Sequence, residues 1–147
     1  MSSGQSDCVF CKIVAGDIPS LKVFETDQIL AFLDIGPLAE GHVLVIPNQH
    51  AAYLADLEEE TGAHMFRIAQ RTAAALRVSG VQCEGVNFFL ADGEAAMQDV
   101  FHVHLHVFPR YQGDGFGLKL SPEYYTLPER SELDGIAEDI RNALESS

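Results

Sequence analysis

Residues 102 to 108 read His-Val-His-Leu-His-Val-Phe, and this alternation restricts the possible folds more than any other segment. In a β-strand, side chains two residues apart leave the same face about 7 Å from each other. A strand here would align His102, His104 and His106, which we call the histidine row, and would turn the aliphatic residues between them toward a core. A single histidine on such a strand is usually a buried structural residue. Three histidines in register indicate a functional row.

A row of imidazoles can serve two kinds of chemistry. Neutral imidazole nitrogens ligate metal ions, and a histidine can also act as a nucleophile or proton carrier near neutral pH. A His-x-His pair at the end of a strand is also the metal pair of large amidohydrolase barrels. Such barrels need about 250 residues, whereas this chain has 147. The row by itself therefore leaves a metal site and a nucleophilic site open.

Six further motifs accompany the histidine row: Cys8-Val9-Phe10-Cys11-Lys12-Ile13 with Gly16-Asp17-Ile18-Pro19, Ala31-Phe32-Leu33-Asp34-Ile35, Gly41-His42-Val43-Leu44-Val45-Ile46-Pro47 with His50, Gln98-Asp99-Val100-Phe101, Pro109-Arg110-Tyr111, and Gly113-Asp114-Gly115-Phe116. Together with the row they resemble the histidine triad (HIT) nucleotide-binding proteins, and some resemble bacterial members in particular. The resemblance covers about residues 7 to 117. The tail after residue 117 is generic.

Hydrophobic periodicity and turn residues predict eight elements: strands over 23–25, 28–33, 42–46, 86–90 and 101–108, and helices over 8–14, 58–78 and 127–144. Strands in hairpins flanked by helices favour an α+β fold with an antiparallel sheet. The resemblance implies a HIT-like fold with about five strands that forms a two-fold homodimer. We expect one domain over residues 1–147, with a core of about 7–117 and a C-terminal helical tail of about 118–147.

Charge excludes one class of partner. The chain has 22 acidic and 9 basic residues, a formal net charge of −13, so its surface repels bulk nucleic acid and anionic membranes. A small anionic nucleotide can still bind, because local donors outweigh a field that salt screens beyond about 8 Å. No apolar run approaches the roughly 20 residues of a membrane span, and residues 1–6 do not look like a secretion signal. We therefore expect a cytoplasmic protein, and the resemblance implies that its partner is a purine nucleotide or nucleotide conjugate.

The resemblance implies a mechanism that centres on the middle histidine. His104 would attack the α-phosphorus of a nucleotide and form a nucleotidyl-histidine, which water then hydrolyses. Imidazole suits both steps, since it is nucleophilic near pH 7 and leaves readily once phosphorylated. His106 would donate to the phosphoryl oxygens, and His102 would orient the site or ligate a metal. This scheme requires no catalytic metal.

Nucleotide recognition is expected from two other segments. By resemblance, Asp34 would accept both ribose hydroxyls through its two carboxylate oxygens, while Phe32 and Ile35 would give the base an apolar slot. Gln98 and Asp99, just before the row, would join His104 and His106 at the phosphate. Two other histidines, at positions 42 and 64, are interpreted as structural or surface residues.

Two segments depart from the family pattern. The chain has Ala91-Asp92-Gly93 where relatives often have Asn two residues before the Gly, and Met97-Gln98-Asp99 where they have Gly-Gln followed by Ser or Thr. In the family, the lost hydroxyl lies by the bridging atom of the leaving group. An Asp there can donate a proton only if burial keeps it protonated, and otherwise it repels phosphate. The reaction class is retained, but the preferred leaving group stays open.

Cys8, Cys11, His50 and His102 form a second candidate site. Two thiolates at Cys-x-x-Cys spacing and two imidazoles make the tetrahedral set that structural zinc prefers, and similar residues bind zinc in some HIT proteins. The alternative is a pair of buried thiols beside the sheet. Cys83 has no partners in the sequence pattern and is interpreted as a packing residue.

These patterns favour an enzyme that hydrolyses or transfers nucleotides at the α-phosphate of a nucleoside phosphoramidate or dinucleoside polyphosphate. One alternative is a nucleotide-binding or scaffold protein of the same fold that turns over slowly because of Ala91 and Asp99. Another is a histidine-rich metalloprotein that uses the whole histidine row as ligands.

Overall fold

The computed structural model describes residues 7 to 147; residues 1–6, to which the expectation about a secretion signal refers, lie outside the described part. The described chain forms these helices and strands: α1 (Val9–Ala15), β1 (Lys22–Glu25), β2 (Ile29–Leu33), β3 (Val43–Pro47), α2 (Glu59–Val78), β4 (Gly85–Phe89), β5 (Leu105–Arg110) and α3 (Arg130–Ser146). Within residues 7–147, no helix combines the length and the apolar character needed to cross a bilayer.

The strands form one sheet in the order β1-β2-β3-β5-β4, and every neighbouring pair is antiparallel. This confirms the predicted α+β fold with a five-stranded antiparallel sheet. All five residues of β3 are buried, because this central strand is covered on both faces. Its continuous apolar sequence, Val-Leu-Val-Ile-Pro, is what such double burial requires.

Alternating side chains of the sheet belong to two separate hydrophobic clusters. One lies under α2 and includes Val103, Leu105 and Val107. The other contains the buried residues of α1 and the opposite side chains of β2 and β3. The aliphatic residues of the 102–108 segment thus face the α2 cluster, as the alternation predicts. The ring of Phe10 in α1 contacts the rings of His102 and His104, which puts these histidines on the other side.

The predicted strand over 101–108 is wrong at its start, because β5 begins only at Leu105. The ladder between β3 and β5 pairs Val45 with Leu105 and goes no further in that direction. The backbone N–H of Val103 instead donates to the carbonyl of Ala51 at 2.8 Å. The first two histidines of the row therefore lie on a buried segment that bends into the strand. The other predicted element boundaries agree to within three residues.

The chain divides into two compact units, one that ends at Asp114 and one that spans Gly115–Ser147. In the second unit, α3 carries an apolar stripe that is largely exposed; its members are Leu133, Ile136, Ile140 and Leu144. The expectation of a single domain with a tail that starts near residue 118 stays a prediction.

Candidate active site and metal centre

Helix α1 brings two thiols to one end of the histidine row. The Sγ of Cys8, at the N-cap, accepts a hydrogen bond from the backbone N–H of Cys11 at 3.4 Å. The Sγ of Cys8 lies 3.3 Å from Nδ1 of His102, and the Sγ of Cys11 lies 3.3 Å from Nδ1 of His50. Cys11 is also 3.5 Å from Nδ1 of His102. The helix ends one turn later at Gly16, whose φ of 87° is in the left-handed region that glycine adopts without strain.

The geometry of these four side chains fits zinc. Their ligand atoms all lie within 4.8 Å of one another. Ordinary Zn–S and Zn–N bond lengths in a tetrahedron put sulfur and nitrogen about 3.5 Å apart, close to the 3.3 to 3.5 Å found here. The Nε2–H of His102 donates to the carbonyl of Pro47 at 2.8 Å. Because a carbonyl only accepts, this bond leaves the lone pair on Nδ1, directed at the thiols.

Burial favours the uncharged forms of Cys11 and His102. Burial, followed by the hydrogen bond with Cys8 and the charge of Cys8, raises the pKa of the Cys11 thiol to about 11. Burial also lowers the pKa of His102 to about 4; the hydrogen bond to Pro47 opposes this shift, while His50 and His104 add to it. A metal ion would bind the neutral imidazoles directly and would replace the thiol protons.

His104 presents a free ring nitrogen. Its Nδ1–H donates to the backbone carbonyl of His102 at 2.7 Å, so the lone pair resides on Nε2. The side chain is only 3% exposed, and the carboxylate Oδ1 of Asp99 lies 3.6 Å from Nε2. The side chain of Asp99 is 83% exposed. A buried, oriented imidazole with one available lone pair can act as a nucleophile.

Two consecutive hydrogen bonds, from Leu38 to His42 and from His42 to His106, orient His106 in the opposite sense. The backbone N–H of Leu38 donates to Nδ1 of His42 at 3.0 Å. This nitrogen must therefore accept, and the ring proton of His42 resides on Nε2. That Nε2–H donates to Nδ1 of His106 at 2.9 Å, which leaves the proton of His106 on its Nε2. A backbone amide in the 36–41 turn thus makes His106 a donor toward the site.

The pKa shifts of His42 and His106 agree with two neutral rings. Burial, with added effects of His104 and His42, lowers the pKa of His106 to about 4, and Asp34 and Asp99 oppose the shift. Burial also lowers the pKa of His42, with Asp34 opposing. Both rings are therefore neutral near pH 7, and each carries the single proton that the hydrogen bonds require.

His42 is the site residue that the sequence analysis missed. It was interpreted as structural or surface, yet it is buried and bonded to the row. The available signal was register: β3 pairs Leu44 with His106, and residue 42 lies on the same face as Leu44, one diagonal step away. His64, given the same interpretation, is partly buried and hydrogen-bonds Gln28 at 3.1 Å.

The predicted nucleoside contacts do not all lie in one place. The Oδ2 of Asp34 is 3.7 Å from Nδ1 of His42, and its Oδ1 accepts from the backbone N–H of Gly36 at 2.8 Å. Asp34 therefore lies beside the His42–His106 pair. Phe32 is 4% exposed and packs on Phe10 in the core, whereas Ile35 is 94% exposed. Of these two predicted base contacts, Ile35 alone presents surface to a ligand.

The loop before the row is held by Gln98. Its Oε1 accepts from the backbone N–H of Gly93 at 2.8 Å, and its Nε2 donates to the carbonyls of Ala52 at 2.7 Å and Val100 at 3.1 Å. The amide is thus engaged with the backbone, which favours a positioning role over direct nucleotide contact. Met97 adopts a left-handed φ of 71°, a conformation that glycine would adopt with less strain.

The candidate ligands separate into two groups within residues 7–147. One is the set of Cys8, Cys11, His50 and His102, and the other joins Asp34, His42 and His106. Neither group unites the three histidines of the row. The interpretation of the whole row as ligands of one metal therefore loses support.

Comparison with known proteins agrees with this geometry. The family model described as "HIT domain" matches residues 15–113. The adenosine 5'-monophosphoramidase hnt1 of Schizosaccharomyces pombe is 38% identical over 138 residues, which cover 93% of this chain and 98% of that protein.

Two solved structures have the same fold. A crystal structure of a HIT family member from Bacillus subtilis superimposes with a TM-score of 0.83 at 39% identity, covering 92% of this chain and 96% of that one. A Zn-bound histidine triad family protein from Mycobacterium smegmatis has a TM-score of 0.75 at 41% identity, covering 97% and 99%. These likenesses confirm the fold that the motifs predicted.

Proposed function

This chain belongs to the HIT domain family, and from that membership we propose that it is a nucleotide-binding hydrolase or transferase that acts on nucleoside phosphoramidates. The observation that carries the proposal is the buried His104 ring, whose Nδ1–H is bonded to a carbonyl and whose Nε2 is left as a nucleophile. A relative named as an adenosine 5'-monophosphoramidase supports a P–N substrate. Dinucleoside polyphosphates are the alternative substrate class.

The reaction proceeds in two displacements. Nε2 of His104 attacks the α-phosphorus in line with the scissile bond; the P–N bond breaks, and the amine leaves with a proton. Water then attacks the same phosphorus, the bond to Nε2 breaks, and a nucleoside monophosphate departs. The carbonyl of His102 accepts from Nδ1–H throughout and stabilises the positive charge that the ring carries in the intermediate.

His106 stabilises the developing negative charge. Its Nε2–H is available because His42 donates to its other nitrogen. With a pKa lowered to about 4, the ring gains no second proton near pH 7, so it acts as a neutral donor to a phosphoryl oxygen. Asp34 retains lone pairs beyond the one that accepts from Gly36, and these accept the ribose hydroxyls of a purine nucleotide. Ile35 supplies apolar surface to the base.

Zinc at Cys8, Cys11, His50 and His102 is proposed as a structural ion. The fit of the four ligand atoms supports it, as does the Zn-bound relative. When bound, such an ion supplies a tetrahedral crosslink between α1 and the segment that precedes β5. Four protein ligands leave no open position for substrate, so His102 enters the site as a rigid positioning residue.

A two-fold homodimer is also proposed. Strand β4 is an edge of the sheet, and exposed rings lie next to it: Phe66 and Phe88 are 55% and 41% exposed and pack together at 5.8 Å. An edge strand with exposed aromatic residues is a surface that a second copy can cover. Sedimentation should show a dimer at micromolar concentration, and Phe88→Glu should dissociate it. A wild-type protein that sediments as a monomer would contradict this assembly.

Trapping the covalent intermediate tests the function. We expect protein quenched during turnover of adenosine 5'-phosphoramidate to gain the mass of one adenylyl group on the peptide that contains His104. The same peptide from His104→Ala should gain nothing. If nucleotide binds but neither adduct nor turnover is found, the protein is the slow nucleotide-binding alternative.

A further inference from the structure

A groove between α2 and the first three strands has no part in the proposed function, and we propose that it binds a linear alkyl carboxylate, as in a free fatty acid. The groove has a volume of about 420 Å³, which is in the range of small-molecule sites. A methylene group occupies slightly less than the roughly 30 Å³ of a water molecule. A chain of about eight to ten carbons therefore fits the groove.

Apolar side chains from two layers line this groove. Strands β1 and β3 contribute Val23, Phe24 and Val43, and α2 contributes Ile68 and Leu76. Val43, Ile68 and Leu76 are buried, whereas Val23 and Phe24 on the edge strand are about half exposed. An alkyl chain in the groove would cover this exposed apolar surface, and the gain in free energy increases with each methylene that is buried.

Gly41 allows two of the lining side chains to pack closely against the turn before β3. Its φ of 96° is in the left-handed region. A Cβ at this position would lie 2.9 Å from Cγ1 of Val81 and 3.3 Å from Cδ2 of Leu76, so a larger residue would displace them. Because Gly41, Leu76 and Val81 all line the groove, a packed contact bounds it on this side.

Arg71 is the charged residue of the groove lining. The chain has 22 acidic residues, yet none of them lines the groove. Within residues 7–147, Arg71 makes no hydrogen bond or ion pair. The lining hydroxyls of Thr72 and Ser79 donate to helix carbonyls at 2.8 and 3.0 Å. The guanidinium is therefore the donor that stays available, and its planar fork matches a carboxylate.

The groove and the reaction site lie on opposite faces of the sheet. Val43 lines the groove and belongs to the cluster under α2, whereas the adjacent His42 contacts His106. A carboxylate in the groove would thus leave the nucleotide site free. Strand β1, beside the groove, and strand β4, at the proposed dimer contact, are opposite edges of the sheet, so the dimer would leave the groove accessible.

Three ligands test the proposal: octanoate, butanoate and 1-octanol. Calorimetric titration measures Kd, and NMR of the valine, leucine and isoleucine methyl groups locates the ligand. We expect octanoate to bind saturably and to shift the methyl signals of Val43 and Leu76. Butanoate should bind at least about tenfold more weakly, since it has four fewer methylenes to bury.

Two pairs of variants separate the charge from the apolar lining. Arg71→Gln should weaken octanoate binding about tenfold at low salt and leave 1-octanol binding unchanged. The matched control is Arg67→Gln, one turn earlier on α2 and outside the lining, which should change neither. Ala75→Phe places a ring in the groove and should weaken both ligands, whereas Ala74→Phe, at an exposed position outside the lining, should weaken neither.

Several outcomes would refute the proposal. These are a Kd of wild-type protein for octanoate above about 5 mM, equal losses from Arg71→Gln and Arg67→Gln, or competition between octanoate and adenosine monophosphate. Groove methyl signals that change with protein concentration and not with octanoate would show that a second copy covers the groove, which is also contrary to the proposal. His104→Ala should bind octanoate as wild type does, because the groove is independent of the proposed function.

Discussion

The two ends of the histidine row are made of the same residue type and differ in which ring nitrogen is left free. At one end, His102 gives its Nε2–H to the carbonyl of Pro47 and turns Nδ1 toward two thiols. At the other end, His106 accepts on Nδ1 from His42 and keeps its proton on Nε2. The first end can ligate a metal, and the second can donate to an anion. In each imidazole ring, the hydrogen-bond partner of one nitrogen thus decides the chemistry of the other nitrogen.

The surroundings of the two ends differ as well. The thiol end is enclosed, because Cys8 and His102 are buried and the ring of Phe10 packs against His102. The reaction end has exposed groups at its rim, Asp99 and Ile35. We therefore expect changes at the thiol end to affect mainly stability, and changes at the reaction end to affect mainly rate.

The largest expected effect is at His104, where the two ends meet. His104→Ala should lower kcat for adenosine 5'-phosphoramidate by at least about 10³, because the two-step route loses its nucleophile. Adenosine monophosphate should still bind, since Asp34 and His106 remain. Steady-state kinetics and calorimetric titration measure the two quantities. Turnover within tenfold of wild type by a folded variant would remove His104 from the role of nucleophile.

Next in size is the loss of the proposed metal. Cys11→Ser should reduce zinc from about one ion per chain to none and should lower Tm, while kcat falls less than tenfold, because the ion links α1 to the row without touching substrate. Cys83→Ser is the matched control, since the Cys83 thiol bonds the carbonyl of Gly85 instead. Elemental analysis that finds no zinc in unchelated wild-type protein would leave the two thiols as buried packing residues.

A smaller loss of rate should follow from removing the hydrogen bond that His42 donates to His106. His42→Phe keeps an aromatic ring beside Phe108 but removes the donor to His106. We expect kcat to fall about 10- to 100-fold with KM little changed, as for other groups that orient a functional histidine. NMR of the His106 ring nitrogens should show that its proton is no longer confined to Nε2. His64→Gln, a change outside the row, should leave kcat unchanged.

The smallest effect concerns acid stability. In the unfolded chain a histidine takes up a proton near pH 6.5, whereas folded His106 does so only near 4. The unfolded state therefore binds more protons between these values, and the stability due to neutral His106 is complete above about 6.5 and decreases as the pH falls toward 4. The free energy of unfolding in urea should decrease from about pH 7 to about pH 4.5. Its dependence on pH should be weaker for His106→Asn. Equal slopes would mean that His106 does not titrate in this way.

Much of the site could be predicted because its signals are local. The alternation at 102–108 placed Val103, Leu105 and Val107 in the core, since burial on one face of a sheet has a period of two. The Cys-x-x-Cys spacing put both thiols on one turn of α1, because residues three apart lie on the same side of a helix.

The parts that could not be predicted involve partners that are distant along the chain. His42 and His106 form a hydrogen bond although they are 64 positions apart in the sequence, and no residue near position 42 indicates this contact. Gln98 was expected to bind nucleotide, but its amide is engaged with backbone groups such as Ala52, 46 positions away. The start of β5 also depended on a nonlocal bond, that of Val103 to Ala51.

By itself, the sequence determined that this chain forms a five-stranded α+β fold and predicted three histidines as its candidate site, because burial periodicity and motif spacing depend on neighbours in the chain. Only the tertiary structure decided which nitrogen of each histidine is free. That choice is made by the carbonyls of Pro47 and His102 and by the amide of Leu38 acting through His42. A ring proton resides on the nitrogen that faces an acceptor and is absent from the nitrogen that faces a donor, and folding alone places those partners.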